Sequence, residues 1–120
     1  MRKLNRLKYL SLGNNEIKDI GPLESCRDLE YLDLTDTYVS DISPIYGFQK
    51  LAELRAETDF PEKDRGYTEN DWEVVAWRKV LLSLSGLKYY VGGPPIDIDD
   101  DLRWLSENLP DVKYGYSDVG

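Results

Sequence analysis

The chain has 120 residues, of which 41% are hydrophobic and 32% are charged, so it is long enough to bury one core and too apolar for a disordered tail. Its 15 Lys and Arg residues stand against 23 Asp and Glu residues, which gives a net charge of −8 at pH 7. This charge argues against binding to nucleic acid or to an anionic membrane surface, and it favours a protein partner with a basic or neutral surface.

The residue types that serve most catalytic and metal sites are scarce. The chain has no histidine, which excludes Ser-His, Cys-His and His-metal mechanisms for the chain acting alone. Cys26 is the only cysteine, so the chain forms no intramolecular disulfide and no CxxC metal site. We therefore predict that the protein is not an enzyme and needs neither a cofactor nor a metal ion.

The N-terminal residues and the single cysteine bear on location. Residues 1–6 are basic, but no apolar stretch of signal-peptide length follows them. A lone cysteine that aligns with core positions indicates a reducing compartment. We expect a cytoplasmic protein.

Residues 4–56 contain an internal repeat with a period of 22 residues. Residues 4–12, 26–34 and 48–56 align with one another, and Cys26 falls at the position of Leu4 and Phe48, which predicts a core role for it. The second half of the unit also recurs, in the sets Ile17, Ile20, Pro22, Leu23 and Val39, Ile42, Pro44, Ile45.

Each unit reads L-x-x-L-x-L, then an asparagine-like position, then an Ile or Val and a D-I-x-P turn. This pattern resembles the leucine-rich repeat, specifically the 22-residue class of internalin-like proteins. The resemblance implies a right-handed solenoid that binds other proteins on its concave face. It also implies hydrogen bonds to neighbouring backbone from the asparagine position, here Asn15, Thr37 and Asp59.

Alternating apolar residues predict one strand in each unit, and equivalent strands would stack about 4.8 Å apart in a parallel sheet. Two further strand cores are expected at 87–91 and 112–116. Aligned on Leu7, Leu29, Leu51, Leu87 and Val112, the five strands have spacings of 22, 22, 36 and 25 residues. The fold class is therefore α/β, a leucine-rich-repeat solenoid with a five-strand parallel concave sheet, short convex segments in the first repeats and helices in the last ones.

Two helices are predicted in the second half. A polar loop at 59–67 precedes a helix of about 15 residues with Thr68 as its N-cap. We expect its apolar face to be Trp72, Val75, Ala76, Val80 and Leu84. The second helix begins after the aspartates of 97–101 and ends at Pro110, with Leu102, Leu105 and Leu109 on one side.

The aspartates of 97–101 fit helix capping better than calcium, because the glycine and glutamate of an EF-hand loop are missing. The three tryptophans lie on the predicted helices, where we expect core packing. We expect one domain over 1–120, with regular repeats at 1–56, a loop and helix insertion at 57–83 and irregular C-terminal repeats or a cap at 84–120.

Residues between the core leucines of each strand point to the concave face. The first predicted row is Tyr9, Tyr31, Glu53, Tyr89 and Tyr114. The second row is Ser11, Asp33, Arg55, Val91 and Tyr116. A third row at the strand exits is Gly13, Thr35, Glu57 and Gly93.

The tyrosines of the first row have two interpretations. Tyrosine is enriched at protein interfaces, which favours a binding surface, but it also stacks well between neighbouring strands and stabilises sheets. In the second row Asp33 and Arg55 are lateral neighbours, and we expect them to form an ion pair.

Three functions follow from these features. The first is a non-catalytic protein-interaction module that uses its concave face, in its sharper form a small acidic inhibitor or adaptor. The second is an assembly role, as part of a longer repeat protein or as a homo-oligomer, because Leu4, Leu7 and Leu10 would form an uncapped N-terminal end. The third is mimicry of nucleic acid by the acidic residues of 57–120.

Overall fold

The computed structural model describes residues 6–58, 72–92 and 98–115. These form five strands: β1 (Tyr9–Ser11), β2 (Tyr31–Asp33), β3 (Glu53–Ala56), β4 (Tyr89–Gly92) and β5 (Lys113–Gly115). Two helices, α1 (Trp72–Ser83) and α2 (Ile98–Asn108), precede β4 and β5 respectively. All neighbouring strands are parallel, and their order in the sheet is their order in the chain. The predicted five-strand parallel sheet is confirmed.

Short 3₁₀ turns at Gly21–Ser25 and Ser43–Ile45 return the chain over the convex side in the first two repeats. Each turn is preceded by an aspartate whose Oδ1 accepts a backbone N–H at its start. Asp19 bonds to Gly21 N at 2.7 Å, and Asp41 bonds to Ser43 N at 2.9 Å. A proline near the start of each turn supplies the φ angle that the turn requires. The short convex segments predicted for the first repeats are therefore present.

The core lies between the sheet and the convex elements. Leu32 and Leu54 of neighbouring strands are fully buried, and Cys26 is fully buried as its alignment with Phe48 predicts. The asparagine positions bond to backbone carbonyls within the described residues. Asn15 Nδ2 donates to Leu12 O at 2.8 Å, and the buried Thr37 Oγ1 donates to Leu34 O at 2.7 Å. The third position, 59, lies outside the described residues.

The face of α1 that packs against the core differs from the predicted one. Trp72 is 74% exposed and Val75 is 52% exposed, and Ala76 is also exposed, so their assignment to the core is wrong. The buried residues are Val74, Trp77, Val80, Leu81 and Leu84. Apolar side chains lie on both sides of this helix, so its periodicity allowed either face to be the inner one.

A buried hydrogen bond accompanies the packing of α1 in this orientation. Trp77 Nε1 donates to the Tyr90 hydroxyl at 2.7 Å, which gives the indole N–H a partner inside the core. Trp72 is instead 74% exposed. The predicted N-cap Thr68 and the loop at 59–67 lie outside the described residues.

Helix α2 covers the C-terminal part of the core. Leu105 is buried, Leu109 is partly buried, and the helix ends at Asn108, two residues before Pro110. Trp104 packs against the core, and the Arg78 guanidinium lies 4.9 Å from its ring centroid. The predicted roles of Leu102 and of the aspartate side chains at 97–101 lie outside what the structure describes.

Candidate functional site

The concave face of the sheet carries two rows of side chains. Pairing between the strands aligns the first row as Tyr9, Tyr31, Glu53, Tyr89 and Lys113. It aligns the second row as Ser11, Asp33, Arg55, Val91 and Gly115. The residues between these rows, such as Leu32 and Leu54, face the core. Both predicted rows therefore agree with the observed register from β1 to β4.

β5 is paired one residue out of the predicted register. Lys113, rather than Tyr114, lies opposite Tyr89. Tyr114 pairs with Tyr90 and packs against the core, with its ring centroid 5.9 Å from that of Tyr90. The prediction that Tyr114 belongs to the concave face is wrong. Tyr116 lies outside the described residues.

The shift arises where the chain enters the strand. Before β2, the N–H groups of Glu30 and Tyr31 both bond to Lys8 O, at 2.7 and 3.0 Å. At β5, Lys113 itself enters the ladder, and its N–H bonds to Lys88 O at 2.8 Å. The turn before β2 therefore contains one residue, Glu30, that has no counterpart in the turn before β5. Each residue of β5 consequently lies opposite the β4 residue one position later than predicted.

An open cleft of about 430 Å³ lies over the second row and the strand exits. Six predicted binding residues line it: Tyr31, Asp33, Arg55, Glu57, Tyr89 and Val91. The remaining lining residues are Ser11, Gly13, Asn14 and Thr35. Tyr9 and Glu53 lie in the first row but do not line the cleft. The structure therefore brings together most of the predicted concave residues.

Asn14 is the lining residue that the sequence analysis missed. It has φ of 62°, and Asp36, which is 22 residues later, has φ of 60°. Asn and Asp tolerate this left-handed conformation better than most residues. An Asn or Asp directly before the asparagine position of the first two repeats was therefore the signal that could have located this bend at the cleft edge.

Tyr9 and Tyr31 stack face to face, with ring centroids 4.1 Å apart and an interplanar angle of 3°. Burial, followed by a side-chain hydrogen bond with Tyr9 and the nearby charge of Asp33, raises the pKa of Tyr31 to about 12. Tyr9, at the edge of the sheet, remains 63% exposed. Lateral stacking, one of the two predicted roles of the tyrosines, is thus present between β1 and β2.

Tyr89 has different surroundings from the stacked pair. Its first-row neighbours are Glu53 and Lys113, and the Arg55 guanidinium lies 5.3 Å from its ring centroid. A Cβ atom at Gly115 would collide with the Tyr89 hydroxyl, so this glycine leaves room for the ring in its present position. The ring of Tyr89 therefore forms one wall of the cleft, where it contacts the Arg55 guanidinium and lies beside Gly115.

Arg55 pairs with Glu53 rather than with Asp33, so the predicted ion pair is wrong. Arg55 Nε lies 2.6 Å from Glu53 Oε2, and this bond is the largest contribution to the raised pKa of Arg55. Glu53 lies two residues away on the same side of β3, with a longer side chain than Asp33. The Tyr89 ring gives the guanidinium a second favourable contact on that side.

The Asp33 carboxylate receives hydrogen bonds from neutral donors. Its Oδ1 accepts the Thr35 N–H at 2.9 Å, and its Oδ2 accepts the Ser11 hydroxyl at 3.4 Å. On the side of β1, a Cβ atom at Gly13 would lie 3.6 Å from Asp33 Oδ2 and 3.2 Å from Thr35 O. The glycine therefore leaves the carboxylate open to the cleft.

The predicted assembly edge lies at the N-terminal end of the sheet, beside β1. Leu7 and Leu10 are partly buried, whereas Leu29 and Leu32, one repeat later, are fully buried. Leu4 lies outside the described residues.

Neither a metal site nor a membrane-spanning helix is seen in the part of the chain that the structure describes. Over 6–58, 72–92 and 98–115, no group of three or more His, Cys, Asp or Glu residues is arranged to hold a metal ion. Within the same ranges, no helix combines the length and the apolar character that crossing a membrane requires.

One strand per turn, parallel pairing in chain order and a short convex return define a leucine-rich-repeat solenoid. Residues 5–47 match the family model described as leucine-rich repeats (2 copies). The fold is similar to the crystal structure of internalin C2 from Listeria monocytogenes, with a TM-score of 0.59 and 22% sequence identity. The alignment covers 92% of this chain and 42% of that one, so the chain spans less than half the length of internalin C2. No curated protein sequence matches the chain significantly. Residues 5–47 therefore carry leucine-rich repeats, and the described chain has a leucine-rich-repeat solenoid fold similar to that of internalin C2.

Proposed function

We propose that the protein is a non-catalytic interaction module that binds a partner protein on the concave face of its sheet. Leucine-rich-repeat domains are typically protein-interaction modules, and their concave surfaces are the usual binding faces. The observation that carries the proposal is the cleft of about 430 Å³, which is lined by residues from β1 to β4 and their exits. Its two tyrosine walls are suited to a protein contact, because tyrosine combines a broad apolar surface with a hydroxyl.

The sharper form of the proposal is a small acidic inhibitor or adaptor that covers a basic surface of its target. A net charge of −8 accelerates association with a positively charged partner and opposes association with acidic ones. A cytoplasmic location fits this form, and a single buried cysteine that forms no disulfide within the chain is consistent with it.

The test compares two double variants that each remove two tyrosine side chains. Tyr31→Ala with Tyr89→Ala truncates both walls of the cleft. Tyr38→Ala with Tyr46→Ala truncates tyrosines that are 39% and 52% exposed and lie outside the sheet. A partner is first captured from the native host with the unsubstituted protein. Its affinity for each purified variant is then measured by calorimetry.

The cleft variant is expected to weaken binding by at least about tenfold, since hot-spot residues of interfaces, among which tyrosine is enriched, contribute about 2 kcal/mol or more. The control variant should bind as the unsubstituted protein does. Thermal unfolding is measured in parallel, and the cleft variant should retain a nearly unchanged midpoint. Equal affinities for the two double variants would contradict the concave-face assignment. A cleft variant that fails to fold would show that the tyrosines mainly stabilise the sheet.

A second candidate function is assembly through the N-terminal end of the solenoid. The incomplete burial of Leu7 and Leu10, compared with the full burial of Leu29 and Leu32, favours it. A second copy or a further repeat would cover these leucines and the edge of β1 that pairs with no other described strand. Light scattering over a range of concentrations tests the homo-oligomer, and a strict monomer at high concentration would count against it.

A further inference from the structure

We propose that the cleft receives a positively charged side chain of the partner, a lysine or an arginine, with Asp33 as its counter-charge. This assignment rests on the proposed function and deepens it, because it names the chemical group that the concave face recognises. Three features of the described residues carry it: the charges that line the cleft, the aromatic walls and the open approach to Asp33.

The charge balance of the cleft favours a cation over an anion. Arg55 is the one basic residue among the ten described residues that line it, and its guanidinium is bound to Glu53 at 2.6 Å. A phosphate or carboxylate ligand would have to displace Glu53 to gain Arg55. Asp33 lines the same cleft, and its carboxylate forms no ion pair with the other described residues.

Asp33 has remaining capacity to bind a cation. An ionised carboxylate offers about four acceptor positions, whereas Asp33 accepts hydrogen bonds from the Thr35 N–H and the Ser11 hydroxyl. Both donors are neutral, and the second is long at 3.4 Å. A guanidinium or ammonium group would form a stronger, charge-assisted bond with this carboxylate.

The aromatic walls suit the same ligand. The Tyr89 ring already lies 5.3 Å from one guanidinium carbon, that of Arg55, which shows that its surroundings tolerate a cation. Tyr31 lines the opposite part of the cleft and is fixed by its stack on Tyr9. The volume of about 430 Å³ lies in the range of pockets that hold a small ligand, so one long side chain and its flanking backbone fit.

The test uses pairs of short peptides that differ in charge and hardly in shape. Acetyl-Gly-Arg-Gly-amide is compared with its citrulline analogue, and acetyl-Gly-Lys-Gly-amide with its acetyl-lysine analogue. Binding to the unsubstituted protein is followed by the backbone amide shifts of the cleft residues in NMR spectra. At least one cationic peptide is expected to bind roughly tenfold more tightly than its neutral analogue and to shift residues of the cleft.

A matched pair of variants separates Asp33 from the overall charge. Asp33→Asn removes one negative charge but keeps an oxygen that can accept the Thr35 N–H. Glu30→Gln removes one negative charge from an exposed residue of the same repeat that does not line the cleft. We expect Asp33→Asn to weaken binding of the cationic peptide roughly tenfold and Glu30→Gln to change it less than twofold.

Three results would overturn the assignment: no binding of either cationic peptide, equal binding of cationic and neutral peptides, or equal effects of the two variants. The peptide comparison needs no variant, so a failure of Asp33→Asn to fold leaves it decisive. Failure here is also distinguishable from failure of the proposed function. Loss of the natural partner by the Tyr31 and Tyr89 double variant would keep the concave face as the binding surface even where charged and neutral peptides bind alike.

Discussion

Removing one oxygen atom from the core, by Tyr90→Phe, should measurably destabilise the protein. Tyr90 is 2% exposed, and its hydroxyl accepts a hydrogen bond of 2.7 Å from Nε1 of Trp77, which is 1% exposed. The phenylalanine ring fills nearly the same volume, so the substitution creates almost no cavity. Its principal effect is to remove this acceptor from a buried indole N–H.

The expected loss of unfolding free energy is about 1–3 kcal/mol, because a buried donor without its acceptor costs most of its desolvation free energy. The upper part of this range is expected, since both groups are almost completely shielded from water. The loss should appear as a lower denaturation midpoint at an unchanged slope, because the surface exposed on unfolding hardly changes.

Urea denaturation followed by far-ultraviolet circular dichroism measures this effect. Tyr38→Phe is the matched control, since it removes the same atom from a side chain that is 39% exposed, and it should change stability by less than about 0.5 kcal/mol. Equal stability of the two variants would refute the reasoning that this hydrogen bond favours the observed face of α1.

Two further predictions concern backbone conformation and pH. Gly92→Ala should cost clearly more than Gly47→Ala, by about 1 kcal/mol or more in urea denaturation. Both glycines have positive φ, 98° and 77°, but a Cβ at Gly92 would lie 2.5 Å from Ala56 O, whereas at Gly47 its nearest contact is the flexible Arg27 side chain at 3.4 Å. Equal losses would show that β3 and β4 are not packed as closely as described. The second prediction is that Tyr31 titrates near pH 12, compared with about 10 in an unfolded chain. Because its folded pKa is the higher one, its contribution to stability is complete below pH 10 and is lost as pH rises from 10 through 12. The tyrosinate absorbance of the protein minus that of Tyr31→Phe should therefore show no step near pH 10, and a step there would contradict the burial and hydrogen bonding assigned to this hydroxyl.

The sheet and most of its concave face could be predicted from the sequence because the repeat is a local and regular signal. A period of 22 residues places equivalent residues on neighbouring strands, and alternation within each strand separates core from concave side chains. The repeat length and this alternation alone predict that Tyr9 lies opposite Tyr31, and Asp33 opposite Arg55, on neighbouring strands. The fully buried Cys26 follows from it as well.

Outside the regular repeats, the deciding interactions were between elements distant in the chain. Val74 and Trp77, rather than Trp72 and Val75, face the core because α1 is apolar on two sides and only one of them meets the sheet. No feature within the helix distinguishes the two faces as clearly as the contact of Trp77 with Tyr90, which comes from the following strand.

The concave face shows the same division. The sequence by itself determined which residues stand in each row of β1 to β4, since that requires only the repeat length and the two-residue period of a strand. Only the tertiary structure decided that Lys113 replaces Tyr114 in the first row, because one residue is missing at the strand entry. It also decided that Arg55 turns to Glu53 and leaves Asp33 facing the cleft. Which of several neighbours a side chain contacts depends on charge, side-chain length and ring contacts together. These interactions depend on distances that the sequence alone does not specify.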